Sequence, residues 1–512
     1  MKTLIIMLLL APSAFAAMGC RGDGTCIAKE APGTNVLWRA PLPNWNLGAP
    51  VVAKDRVFVM SETDRDHDFP VLLCVSAKDG KVLWQREIEH DVDEAVRKAW
   101  HDHLVALRNL YKARHAYAVS TNKEALAEFG CTVNDKGGVS WISTDPNNKR
   151  GDRQDVALAR TFNKGGLYFD VWHLGGLGRI GYAYPTPVTD GGRVYVATGL
   201  HSFACYDLDG KLIWKARSVG QGSSQAGYGG DDFCKNARSP LLHGNLFISD
   251  VGNLVRAFDK ETGKLLWSDK HTGHEIVSPV VINVGGKDLL LTATVTAYEL
   301  PSGRKIAVEG WKNHGGTMLV KADERDVVFF TGGGEHGGWE NKGNPPCTTP
   351  PPAAVKFALD GETLKATVLW SGIDGKSSGE CHAGLVYQAG KLYHPHGAIV
   401  DAATGKILAG KMRDRHTRAT PSTRHLAWIA GDRLIGVNDE KGQGMVEMYD
   451  LAGKKLSSIS LPTMPADAEK KERIIEAIGG PGWGFSYGCP FVVDGDRIYI
   501  RSHSELICLG SK

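Results

Sequence analysis

The stretch LVRAFDKETGKLLWSDK, residues 254–270, decides the fold. Residues 254–258 and 264–267 read as two strands joined by a tight turn. Gly263 supplies the positive φ that a hairpin turn requires, and Asp259 can fold its carboxylate onto the amides that follow. The arrangement returns as CVSAKDGKVLW around Gly80 and CYDLDGKLIW around Gly210. Looser copies are YELPSGRKIA at Gly303, FALDGETLKATVLW at Gly361, VDAATGKILA at Gly405 and YDLAGKKLSS at Gly453. Seven such hairpins along one chain are an architecture.

A second strand pair precedes each hairpin, usually opened by a Ser/Thr-Pro step, as in TPVTDGGRVYVATG (186–199) and SPLLHGNLFISD (239–250). Apolar residues alternate along these pairs at period two, the mark of half-buried antiparallel strands. The last pair, CPFVVDGDRIYIRS (489–502), is followed by SELICLGSK and has no fourth strand. NVLWRAPL (35–42), at the other end of the chain, has a strand-and-Trp signature and no unit before it. Pairing the two loose ends closes a ring and removes exposed sheet edges. Successive turn glycines from 210 to 453 lie 53, 40, 58, 44 and 48 residues apart, a spacing suited to four-stranded blades. The expected fold is therefore all-β: an eight-bladed β-propeller over 35–510, closed by the N-terminal strand.

AFDKETGKLLW (257–267) sets Ala257, Asp259, Thr262, Gly263 and Trp267 at the spacing of a tryptophan-docking repeat. In this the chain resembles the pyrroloquinoline-quinone (PQQ) repeat β-propeller superfamily over most of 35–510. That superfamily includes both an outer-membrane assembly lipoprotein and quinoprotein dehydrogenases. The resemblance implies that Trp84, Trp214, Trp267 and Trp370 pack onto neighbouring blades. It speaks to fold more than to chemistry, because scaffolds and enzymes share the repeat.

Composition narrows the setting. The 512 residues carry a net charge of only +3 with no run of Lys and Arg, so nucleic acid is a poor partner. The 62 glycines and 13 tryptophans suit a turn-rich all-β chain. Residues 1–16, MKTLIIMLLLAPSAFA, read as a secretory signal ending in an Ala-x-Ala site, and no later segment is apolar enough to span a bilayer. The expected location is periplasmic or extracellular. A lipid anchor at Cys20 is the alternative to plain cleavage, since Ala17-Met18-Gly19-Cys20 is a lipoprotein box lacking its usual leucine. Of ten cysteines, Cys74, Cys205 and Cys508 hold one repeat position and read as core. Cys20, Cys26, Cys131, Cys234, Cys347, Cys381 and Cys489 fall in expected loops, where disulfides are plausible in an exported protein.

Residues 89–181 interrupt the ring as an insertion, and Val92, Val96, Trp100, Leu104, Leu107 and Tyr111 form a helical stripe in its first half. GLGRIG (176–181) lacks the strand-to-helix context of a dinucleotide site. DRDHD (64–68) has Phe69 where a calcium loop needs glycine.

Long glycine-rich loops gather on one expected face, and such loops on a rigid scaffold are where sites form. Arg238, His314, His382 and Tyr487 precede innermost strands and could line the funnel, with Asp231, Asp232, Trp311, His336, His394 and His396 behind them. There is no adjacent Cys-Cys pair and no CxxCH haem site, and no residue is assigned a catalytic or metal-binding role. Two readings stand: an exported binding or scaffold propeller engaging a ligand or cell-envelope protein, and an extracytoplasmic oxidoreductase dependent on PQQ or a metal. The second would take PQQ and Ca2+ as cofactors.

Overall fold

The repeated hairpins fold into four-stranded antiparallel sheets whose strands follow one another in chain order. The computed structural model describes residues 27–29, 31–43, 48–62, 70–89, 98, 131–133, 139–141, 183–218, 238–271, 278–292, 295–311, 319–321, 326–330, 352–374, 386–393, 398–410, 427–440, 443–462, 466, 490–502 and 504–512. The first unit runs Val51–Ala53, Arg56–Glu62, Pro70–Ser76 and Val82–Glu87. Units with the same strand order follow at 188–217, 241–270, 280–309, 319–371, 386–409 and 427–462. The last unit has Phe491–Asp494, Arg497–Arg501 and Glu505–Gly510, and takes Asn35–Pro41 from the far end of the chain as its fourth strand. Asn35 lies opposite Gly510, and Pro41 opposite Glu505.

The middle strands depart from the expected alternation. Val57, Phe58, Val59 and Met60 are all fully buried, as are Leu506 to Leu509 in the last unit. Each sheet is covered on both faces by its neighbours, so both side-chain sets of a middle strand go inside. Fourth strands keep one wet face, where Leu83, Leu266 and Leu369 are about half exposed.

Innermost strands stand side by side along the series. Val51–Ala53 touches both Val188–Thr189 and Phe491–Asp494, and Ala427–Ala430 touches Val386–Gln388 and Phe491–Asp494. The Ser/Thr-Pro steps explain part of this alignment. Ala49 N donates to Thr186 Oγ1 at 3.1 Å, Thr186 N to Ser239 Oγ at 3.0 Å, and Ser239 N to Ser278 Oγ at 2.9 Å. One hydroxyl per unit satisfies the first amide of its neighbour, where a proline at the next position has no N–H to offer.

Tryptophans fasten the outer parts. The Trp214 ring lies over Gly263 of the next unit, and its indole N–H donates to Lys260 O at 2.8 Å. Trp84 does the same over Gly210 and Leu208 O, Trp267 over Gly303 and Pro301 O, and Trp370 over Gly405 and Ala402 O. Trp38, on the N-terminal strand, completes the set over Gly80 with Ala77 O at 3.0 Å. The buried thiols of Cys74, Cys205 and Cys508 face Trp84, Trp214 and Trp38 across the strand pair. Burial pushes each thiol up to about 12, so they remain protonated core groups.

Three joints, those following units 280–309, 386–409 and 427–462, have Ala307, Ala409 and Ser457 at the tryptophan position. Ala307 holds the Trp position of unit 280–309, and there the outer strand Arg304–Glu309 pairs directly, in parallel, with Thr363–Ser371. At Gly453 the neighbour is Ile399. An additional short strand, Ile27–Ala28, runs parallel to the innermost strand Ala427–Ala430 on its inner side.

The stretch 91–120, predicted helical, lies outside the described residues except for Lys98. What is described of 89–181 beyond Lys98 and Glu89 is a hairpin, Cys131–Val133 with Val139–Trp141, so Cys131 is in a strand and not a loop. The other loop cysteines lie outside the described residues.

The dual demand on the turn glycines is testable. A Cβ at Gly263 would stand 2.5 Å from the Trp214 ring, on a backbone with φ of +71°, whereas Gly361, at +60°, has open space around it. Gly361→Ala then costs only left-handed strain, about 1–2 kcal/mol. Gly263→Ala adds the displacement of a packed ring, for roughly 2–5 kcal/mol in all. Thermal melts of the two variants should differ accordingly; equal midpoints would refute the docking role.

Candidate functional site

In each antiparallel unit the second strand ends on the edge where the chain leaves for the next unit, and the glycine turns occupy the opposite edge. On the departing edge the apolar run breaks off at buried polar residues. Glu62 ends VFVMSE, Asp250 follows LFIS, and Arg501 follows IYI; none is more than 1% exposed.

Asp250 is the best defined. After Leu246–Ser249 the backbone enters a single 3-10 turn, Val251–Asn253, in which Gly252 has φ of 72°. The carboxylate sits above that turn. Its Oδ1 is 2.5 Å from His271 Nε2, and its Oδ2 is 3.1 Å from Arg238 Nη1, which also donates to the Asp250 carbonyl at 3.3 Å. Burial pushes the Asp250 carboxyl up, but the charge of Arg238 and the bond to His271 outweigh it and hold the group below its ordinary range. Arg238 comes just before the unit's first strand, and His271 just after its last, Leu265–Lys270. One carboxylate therefore ties the entry of unit 241–270 to its exit.

A second charge lies beside it. Arg256 is fully buried on the third strand, Leu254–Asp259. Its Nη1 donates to Val251 O and Leu254 O, both at 2.8 Å, closing the same 3-10 turn. Its Nη2 reaches Ser218 O at 2.7 Å and stands 2.7 Å from His201 Nδ1, both in the preceding unit's connections. The guanidinium also lies 5.5 Å from the Phe203 ring centroid. Further round, Glu62 Oε1 accepts from Ala183 N at 2.8 Å where the 89–181 insertion returns, and Arg501 Nη1 donates to Met60 O at 2.5 Å.

Asp250 and His271 are only 1% and 2% exposed, so the carboxylate–imidazole pair is buried. What this network does is fix loop roots. Buried charges lose hydration and return it only through complete, well-aligned partners, so they specify position more than they add stability. Among the described residues, no group of three or more His, Cys, Asp or Glu is placed to hold a metal ion.

Of the residues the sequence singled out, Arg238 lies in this network. Trp311 is half-buried elsewhere, 5.4 Å from Phe330 between ring centroids. His314, His382, Tyr487, Asp231, Asp232, His336, His394 and His396 lie outside the described residues. The reading missed Glu62, His201, Asp250, Arg256, His271 and Arg501. A signal existed: at the place of Arg256, the strands of other units carry Leu73, Ala204 and Ile507, and a charge in a strand buried on both faces demands partners.

Comparison with known proteins adds a family. Residues 15–111 and 133–317, more than half of the chain, match the family described as outer membrane protein assembly factor BamB. Among solved structures, BamB from Moraxella catarrhalis is 12% identical, covering 64% of this chain and 82% of its own, with a TM-score of 0.39. Quinohemoprotein alcohol dehydrogenase from Comamonas testosteroni is 10% identical over 98% of this chain and 82% of its own, at 0.37. A europium-containing methanol dehydrogenase is 11% identical over 95% and 83%, at 0.38. No curated protein sequence matches the chain.

Asp250 offers a pH test. A carboxyl lowered by folding contributes stability that is whole at neutral pH. The contribution falls once the medium passes below the unfolded value near pH 4, and is lost through the folded value. Asp250→Asn removes the buried charge that both Arg238 and His271 engage and should cost about 3–5 kcal/mol at pH 7. In urea unfolding the gap between variant and wild type should narrow near pH 3; a gap independent of pH would contradict the assignment.

Proposed function

Since the chain belongs to the family described as outer membrane protein assembly factor BamB, a PQQ-repeat β-propeller family, we propose that it is an exported scaffold of eight blades that holds a cell-envelope protein on its long-connection face. The ring reading draws support from the side-by-side innermost strands and from the N-terminal strand completing the last unit. It gives all four-stranded units equivalent neighbours and leaves no wide sheet edge unfastened.

The observation that carries the functional reading is the placement of buried charge. Glu62, His201, Arg238, Asp250, Arg256, His271 and Arg501 all lie on or beside the edge where the chain passes from unit to unit, and bonds of Glu62, Arg238 and Arg256 run to backbone there. The opposite edge is made of short glycine turns such as those at Gly80, Gly210 and Gly263. A fold that spends buried guanidinium groups on one rim is holding that rim in a fixed shape, which is what a recognition surface needs. The signal-like residues 1–16 and the family description support the exported setting.

Two measurements together test this. Mature protein titrated with PQQ in the presence of Ca2+, followed by tryptophan fluorescence, should give no saturable quenching. Cells lacking the chain should contain less folded outer-membrane protein, restored by the wild-type sequence. Unchanged envelope composition together with saturable, calcium-dependent PQQ binding would overturn the scaffold in favour of an oxidoreductase.

A further inference from the structure

Arg256 commits both hydrogens of each terminal nitrogen. Nη1 gives its two to Val251 O and Leu254 O, and Nη2 gives one to Ser218 O and one to His201 Nδ1. A guanidinium has no lone pair to offer, so His201 Nδ1 must be the acceptor and carries no proton in this arrangement. His201 itself is held in place: its side chain is buried, and its backbone has φ of +60°, in the turn between Arg193–Ala197 and Ser202–Asp207. Outside glycine such a conformation persists only where the surroundings enforce it. The His201 carbonyl also accepts from Ser218 N at 3.3 Å. The chain leaving Leu212–Arg217 is thus gripped on both sides of Ser218.

His271 makes the opposite demand. Its Nε2 donates to Asp250 Oδ1 at 2.5 Å, with Arg238 Nη1 3.4 Å away, and it can do so with the ring neutral or charged. The exit of unit 188–217 therefore needs an imidazole nitrogen without a proton, and the exit of unit 241–270 needs one that has it. Among the described residues, Arg256 faces His201 from Leu254–Asp259, and Arg217 lies opposite Ser202 in its own unit. Asp250 is close enough to feel the Arg256 charge. Two arginines oppose a charged imidazole here, so His201 takes a proton by giving up Arg256.

We propose that His201 is a proton-operated latch on the long-connection edge. Neutral, it shares the Arg256 Nη2 with Ser218 O and fixes the exit of unit 188–217. Protonated at Nδ1, it sets donor against donor, parts from Arg256 and frees that exit, while His271 stays tied to Asp250. The use of the latch, a recognition rim that loosens in acid, rests on the function proposed above; its existence is tested without any partner.

Hydrogen exchange of the mature protein at pH 7.5 and pH 5.5, read by mass spectrometry and corrected for intrinsic rates, decides it. An imidazole that binds its proton only when unlatched, at the ordinary value of about 6.5, raises the open population about tenfold across that interval. The Ser218 amide should lose protection by that factor, and the amides of Leu265–Lys270 should keep theirs. His201→Asn sets an amide oxygen as many bonds from the backbone as Nδ1, on a residue that tolerates positive φ, and should protect Ser218 equally at both pH values. Unchanged Ser218 protection in the wild type, an equal loss at 265–270, or the same loss in the Asn variant overturns the latch.

Discussion

The fold depends on one contact: an indole ring laid flat over a glycine that no other residue can replace without strain. Each four-stranded sheet is too thin to shelter its own middle strands, so its stability is borrowed from the sheets on either side. The contact converts that need into a defined geometry. The ring covers the turn, the indole N–H engages a carbonyl two or three residues before the glycine, and the distances, 2.8 to 3.0 Å, hardly vary between joints. Spacing between units is then set by the thickness of an aromatic ring.

The rim that departs toward the next unit obeys a different rule. There the backbone must leave the ladder, and its amides and carbonyls need partners from outside the sheet. Hydroxyls serve at the innermost strands, and the guanidinium of Arg256 serves a short turn of its own unit and the exit of the preceding one. Arg256 satisfies three carbonyls at once, an arrangement that suits its planar fork of donors and would not suit lysine. Electrostatics here is architecture: the charges lie beneath the loops and hold them up.

Much of the fold was legible because its signal is periodic. Gly263, Trp267 and their copies recur at a spacing that sequence alone exposes, and the orphan strand at 35–42 could be matched to the unit lacking one. Trp38 was seen as a signature, but its docking partner was not, because Gly80 lies across a closure that only the folded chain brings together. The departure at Ala307 was illegible for the opposite reason: sequence reports that a tryptophan is absent, but parallel strand pairing in its place is a backbone event with no side-chain mark. The candidate site was least legible. Its residues are far apart in sequence and become informative only against the repeat, as with a charge at Arg256 where other units carry leucine, alanine or isoleucine.

The two N-terminal strands make the order of assembly run against the order of synthesis. Residues 27–28 and 35–41 leave the ribosome roughly 400 residues or more before their partners, 429–430 and 505–510. Until the final unit exists, the beginning of the chain has nowhere to settle, and the joint between the last two units lacks its filler. Contacts this distant in sequence are slow to form. For most of its synthesis the chain therefore has unsatisfied strands at both ends, and the final step of folding is the capture of residues 27–28 and 35–41 by the last units.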